Sequence, residues 1–104
     1  MTNSCTAISN TGLRLMRAIK VLSGHALDGV SNQELAKALD IPASAVTRLM
    51  ATMAAEGFAV KLDNGRFAPG MALLQVAQRT SNELANASQR INELTQRIHA
   101  GARQ

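Results

Sequence analysis

Residues 31–70 read SNQELAKALDIPASAVTRLMATMAAEGFAVKLDNGRFAPG, and the fold is decided in this stretch. Ser31 with Glu34 fits a capping box, in which each side chain satisfies a free backbone donor at a helix start. Leu35, Ala38 and Leu39 then supply the apolar side of a short helix. Asp40-Ile41-Pro42 predicts a tight turn, because the residue before proline avoids helical dihedrals and proline suits a first helical turn. A further helix is predicted from about Pro42 to Glu56, with Val46, Leu49, Met50 and Met53 as its apolar stripe and Gly57 as its stop. Phe58 to Leu62 alternates, as does Arg66 to Ala68, and Asp63-Asn64-Gly65 lies between them. Asn-Gly accepts the positive φ angles of a type I′ turn, so a hairpin is expected there, closed by Pro69-Gly70. Helix, turn, helix and hairpin in that order are the layout of a winged helix-turn-helix. Such a unit offers a helix sized for the major groove of DNA and a loop that reaches the strand beside it.

Upstream, residues 1–10 are small and polar and are expected to form a flexible tail. From Thr11, Leu13, Met16, Ile19 and Leu22 fall on helical spacing, with Leu15, Ala18 and Val21 broadening the stripe. Asn10 or Thr11 is expected to cap this first helix, and Gly24 to end it in a left-handed conformation. Gly29-Val30-Ser31 suits a short third strand. The two phenylalanines, Phe58 and Phe67, are expected to cap the core over the second helix of the motif rather than to stack on bases.

Downstream, Leu73, Ala77, Thr80, Leu84, Ala87, Ile91, Leu94 and Ile98 follow alternating spacings of four and three. That is a heptad seam, predicting one helix over residues 71–100, about 40 Å long if straight. A domain of this size cannot cover such a stripe on itself, so the seam is expected to be a dimer contact; a helix folded back on its own domain is the competing reading. Residues 101–104 are expected to be a second tail. The fold class is therefore mainly α with a small β-hairpin wing: a winged helix-turn-helix over residues 11–70, then a long C-terminal dimerisation helix.

A chain of 104 residues with 46% hydrophobic residues is enough for one modest core. The net charge is +4 and the pI about 10.2, which permits a polyanionic partner without demanding one. Residues 1–70 carry seven Lys/Arg against five Asp/Glu, and residues 71–104 four against two, so neither part is a basic arm. Specificity must come from placed side chains. The lone Cys5 makes no internal disulfide and is expected to be a bystander. No apolar run approaches the roughly 18 residues of a spanning helix, and MTNSCTAISN lacks a signal core, so a cytoplasmic location without membrane attachment is expected. His25 and His99 stand apart from any metal-ligand spacing, and no nucleophile–base pair or phosphate-cradling loop appears. The expectation is no enzyme, no metal and no cofactor.

Candidate contacts to double-stranded DNA lie on three elements. On the recognition helix they are Ala43, Ser44, Thr47 and Arg48: small residues that let the backbone sink into the groove, hydroxyls for phosphate or base edges, and one guanidinium for guanine or phosphate. At the start of the preceding helix they are Ser31, Asn32 and Gln33, where free amides and the dipole suit a phosphate oxygen. On the wing they are Lys61, Asn64 and Arg66, with Asn64 also needed for the turn. Arg14, Arg17 and Lys20 form a diffuse basic face, expected to be solvated with an occasional phosphate contact.

From Leu13 to Leu74 the chain resembles the N-terminal DNA-binding domain of IclR-type transcriptional regulators. The resemblance is carried by Val30-Ser31-Asn32-Gln33-Glu34-Leu35-Ala36, by Leu39 to Met50, by Met53-Ala54-Ala55-Glu56-Gly57-Phe58-Ala59, and by Arg66-Phe67 with Pro69 to Leu74. It implies a third helix in the major groove, with Ser44, Thr47 and Arg48 at positions the family uses near DNA, and a dimer on a near-palindromic operator. Members of that family usually continue into a ligand-binding domain; here one helix follows, so a small-molecule effector has no visible seat. The expectation is a homodimeric, sequence-specific transcriptional regulator, a repressor acting by operator occlusion, of the minimal kind that prokaryotes and phages carry. The alternative is an adaptor or assembly factor that uses the same fold and the long helix to bind a protein partner.

Overall fold

The computed structural model describes residues 7–102, so the expectations for Cys5 and for the ends of the two tails lie outside the described residues. The element order is α1 (Asn10–Leu22), α2 (Asn32–Leu39), α3 (Ala43–Ala55), β1 (Ala59–Lys61), β2 (Phe67–Pro69) and α4 (Met71–Ala102). This is the expected winged helix-turn-helix followed by a long helix. The chain divides into two compact units, Met1–Leu74 and Gln75–Gln104. The division falls inside α4 rather than at its start, because the first turn of α4 is tied to the winged unit: Ala72 N–H donates to Gly57 O at 2.9 Å.

Each helix end in the first unit has a local chemical cause. Ser9, not Asn10 or Thr11, caps α1, its hydroxyl accepting the Gly12 N–H at 3.0 Å. The Ser31–Glu34 capping box forms in full at the start of α2. At the other end of α2, Asp40 adopts the left-handed conformation (φ 54°, ψ 51°). Asp40 N–H reaches Lys37 O and Ile41 N–H reaches Ala36 O, the Schellman pattern, with Ile41 and Ala36 both packed against the core. Pro42 stands just before α3 in extended backbone (φ −64°, ψ 153°) rather than inside its first turn. The same pattern ends α3, where Gly57 N–H bonds to Ala54 O and Phe58 N–H to Met53 O.

The core of this unit gathers Leu22, Leu35, Val46 and Met50, all essentially inaccessible, with Ala18, Val30, Leu39, Leu49, Met53 and Ala59 around them. Phe58 and Phe67 are partly buried against it, as expected. Two helix faces differ from the sequence expectation by one residue each. On α1 the buried line is Ala18 and Leu22 flanked by Leu15 and Ile19, while Met16 is 57% exposed. On α2 Ala38 is exposed and Ala36 takes its place beside Leu35 and Leu39. Alanine and methionine contribute little directional information to an apolar stripe, so the neighbouring helices decide which edge of it is covered.

The wing is antiparallel, pairing Ala59 with Pro69, Val60 with Ala68 and Lys61 with Phe67. The expected third strand is present as a single bridge, Val30 to Phe67, closed by two backbone bonds of 2.7 and 2.8 Å. The hairpin tip differs from the expected type I′ turn. Of Asn64 and Gly65 only Gly65 has positive φ (83°). Gly65 N–H bonds to Leu62 O and Leu62 N–H to Arg66 O, which makes a three-residue loop with a left-handed glycine after an ordinary turn. Asn64 Oδ1 stabilises that geometry by accepting the Arg66 N–H at 2.9 Å.

In the second unit, α4 carries the seam on its surface. Leu84, Ile91, Leu94 and Ile98 are each more than half exposed, and Ala77, Thr80 and Ala87 are exposed with them. Leu73, in the first unit, is half-buried. Residues 101–102 continue the helix instead of starting a tail. No helix among the described residues is long and apolar enough to cross a membrane.

Candidate nucleic-acid interface

Burial of Val46, Leu49, Met50 and Met53 turns the opposite side of α3 outward. That outward side carries Ser44, Arg48 and Ala51, with Ala43 and Thr47 on its edge toward α2, and all five are exposed. The structure therefore places the four recognition-helix candidates on one accessible surface. Ser44 and Arg48 have no side-chain hydrogen-bond partner among the described residues and are free to engage a ligand.

The remaining candidates are more constrained. Asn32 Nδ2 donates to Thr47 Oγ1 at 3.2 Å, and Thr47 in turn donates to Ala43 O at 3.1 Å. Asn32 Oδ1 is buried and has no partner among the described residues. Two residues expected to contact DNA are thus also bonded to one another, joining the start of α2 to α3. The Ser31 hydroxyl accepts the Glu34 N–H at 3.1 Å and is spent as a cap. Gln33 is exposed at the same helix start and carries no such commitment.

On the wing, Arg66 is engaged within the protein. Its Nε donates to Asp28 O at 3.1 Å and to Gly29 O at 3.3 Å, and its Nη2 donates to Glu34 Oε1. The guanidinium is partly exposed and bridges the wing to the loop before Val30 and to α2. Glu34 Oε1 also accepts the Ser31 N–H at 3.0 Å. The Ser31 bonds foremost, and then the Arg66 charge, hold the Glu34 carboxyl below the usual glutamate range. Lys61 Nζ stands 6.0 Å from the centre of the Phe67 ring, at the outer reach of a cation–π contact, and is otherwise exposed. Asn64 serves the turn.

Of the basic face expected on α1, Arg14 stands nearest the recognition helix. Arg14 of α1 lines a shallow hollow together with Arg48 and Thr52 of α3, and a second hollow with Arg17, Asp40 and Ile41. The spacing of Arg14 and Arg17 showed a basic helix face, but only the packing of α1 against α3 brings Arg14 beside the recognition helix. His25 is satisfied locally, with Nδ1 3.4 Å from Asp28, and the Asp28 carboxyl is held below its usual range chiefly by that contact. No group of acidic, histidine or cysteine side chains suited to a metal ion occurs among the described residues.

The family model of the IclR helix-turn-helix domain matches residues 12–63, half of the chain. That span runs from the first turn of α1 to the wing tip and contains every candidate contact except Asn64 and Arg66. No curated protein and no solved structure matches the chain.

Proposed function

The chain belongs to the IclR helix-turn-helix family, a family of DNA-binding transcription regulators, and we propose that it acts as a homodimeric, sequence-specific regulator that represses by occluding its operator. The observation that carries this reading is the outward side of α3, where Ser44 and Arg48, exposed and without a side-chain partner among the described residues, stand among the small side chains of Ala43 and Ala51. Small residues let the helix axis approach the base edges, and a single free guanidinium there can fork onto guanine. Arg14 and Arg17 on α1, Gln33 at the α2 start and Lys61 on the wing would hold phosphates on either side. Ser31, Asn32, Asn64 and Arg66 would serve mainly by fixing the backbone that meets the strand.

Dimerisation is proposed through Leu73, Ala77, Thr80, Leu84, Ala87, Ile91, Leu94 and Ile98. A net charge of +4 makes one copy a weak binder, so two reading heads on one duplex supply the affinity that one lacks. The protein would act in the cytoplasm and need no cofactor. A second reading, an adaptor that docks a different protein through the apolar residues of α4, is favoured by the same exposed leucines and isoleucines.

Fluorescence anisotropy against genomic fragments and random duplexes at physiological salt separates the two. The regulator reading predicts a specific site bound at least ~10³-fold more tightly than random DNA. It also predicts that Arg48→Ala weakens specific binding far more than non-specific binding. A ratio near one, together with capture of a hetero-complex, would favour the adaptor.

A further inference from the structure

Thr47 is exposed on α3, yet its hydroxyl is bonded twice within the protein. It donates to Ala43 O at 3.1 Å and accepts from Asn32 Nδ2 at 3.2 Å. A threonine hydroxyl has one hydrogen, and here the backbone takes it. Turning the Asn32 carboxamide over does not release it, because Oδ1 would then compete for that same hydrogen from inside the fold. Asn32 Oδ1 is itself buried, so the amide presents no acceptor to the groove. What Thr47 keeps for a ligand is its Cγ2 methyl and one hydroxyl lone pair, with no hydrogen left to donate.

Building on the DNA-binding reading above, we propose that Thr47 reads the C5 methyl of a thymine through Cγ2, with Asn32 as the positioning residue that keeps the hydroxyl occupied. The thymine methyl is the apolar group that the major groove displays, and a side-chain methyl is a suitable partner for it. The neighbours allow the approach that such a contact needs: Ala43, one turn earlier, and Ser44 and Ala51 are small and exposed. A hydroxyl free to rotate would accept several base edges. With its hydrogen tied to the backbone, the side chain has no donor for a base carbonyl, and its methyl separates thymine from cytosine, and equally from uracil.

The test begins with selection of the preferred site by the full-length protein from duplexes with a random core. Each thymine of the selected site is then replaced singly by deoxyuridine, which removes one methyl. Wild-type binding should fall about fourfold at one thymine of each half-site, the worth of one buried methyl. Thr47→Val keeps the methyl and should keep the discrimination; Thr47→Ser should bind both duplexes alike. Asn32→Ala should move the thymine-over-uracil ratio toward one, and an unchanged ratio would overturn the positioning role of Asn32. The proposal is overturned if no uracil replacement weakens wild-type binding, if the selected site holds no thymine, or if Thr47→Ser still discriminates. The wild-type series can overturn the proposal even where a variant fails to fold, and Thr47→Ser against Thr47→Val assigns the methyl to Thr47. Selection that returns no preferred sequence would overturn the DNA-reading function itself, so the two failures are distinguishable.

Discussion

Arg66 of the wing donates through Nη2 to Glu34 Oε1, the oxygen that also accepts the Ser31 N–H at the start of α2. One carboxylate oxygen therefore serves the capping box and the wing together. Arg66→Ala should loosen the wing without removing a direct DNA contact. Loss of its bonds to the Asp28 and Gly29 carbonyls should cost about 1 kcal/mol in urea unfolding. Specific binding should weaken while the slope of log affinity against log salt stays within error of wild type. A slope reduced by about one would instead make Arg66 a phosphate contact.

Acid should act on the same junction. Glu34 has its pKa lowered in the folded state, so it contributes stability that is present above the unfolded glutamate value of about 4.3. That contribution is lost as the pH falls through the depressed folded value. Asp28, also lowered, titrates nearby, so Glu34→Gln is the comparison that isolates Glu34. The difference in urea midpoint between wild type and Glu34→Gln should shrink progressively as the pH falls below about 5. Parallel curves would remove Glu34 from the account.

Gly70 and Gly65 should respond differently to alanine. A Cβ on Gly70 would overlap the Gly57 carbonyl oxygen and stand 2.8 Å from Ala59 N, so the backbone itself must move. A Cβ on Gly65 meets nothing within 4 Å and suffers only its positive φ of 83°. Gly65→Ala should therefore cost about 1 kcal/mol and Gly70→Ala about 3 kcal/mol or more, read from chemical unfolding. Equal costs would mean that the close approach at Gly70 is not maintained in solution.

The α4 seam makes its own prediction. Leu84→Arg and Ile91→Arg each place a charge among exposed apolar side chains of the proposed interface. Sedimentation should show wild-type dimers and variant monomers of unchanged helix content. An unchanged mass would refute the seam.

The motif was legible where a residue's local chemistry admits one structure. Ser31 with Glu34, Gly57 after α3, and the stripe from Val46 to Met53 all sit where the sequence reading placed them. Details set by a neighbour were less legible. The edge of α1 that is buried depends on α3, so Met16 read as core and lies exposed. The left-handed Asp40 is a residue that tolerates αL without demanding it. The fates of Arg66 and Thr47 depend on partners 32 and 15 residues away, which no local pattern encodes. Candidate contacts could be gathered from residue type and helix phase, but their sorting into free and tied groups required the packed chain.

Hydroxyl-radical footprinting on the tightest-binding genomic fragment tests the central claim most directly, since it reads sequence preference and pairing at once. Two reading heads predict two protected patches related by a two-fold axis, with half-sites about 10–10.5 bp apart or a small multiple of that. Protection of a single patch, or uniform weak protection along the fragment, would contradict a dimeric, sequence-specific regulator.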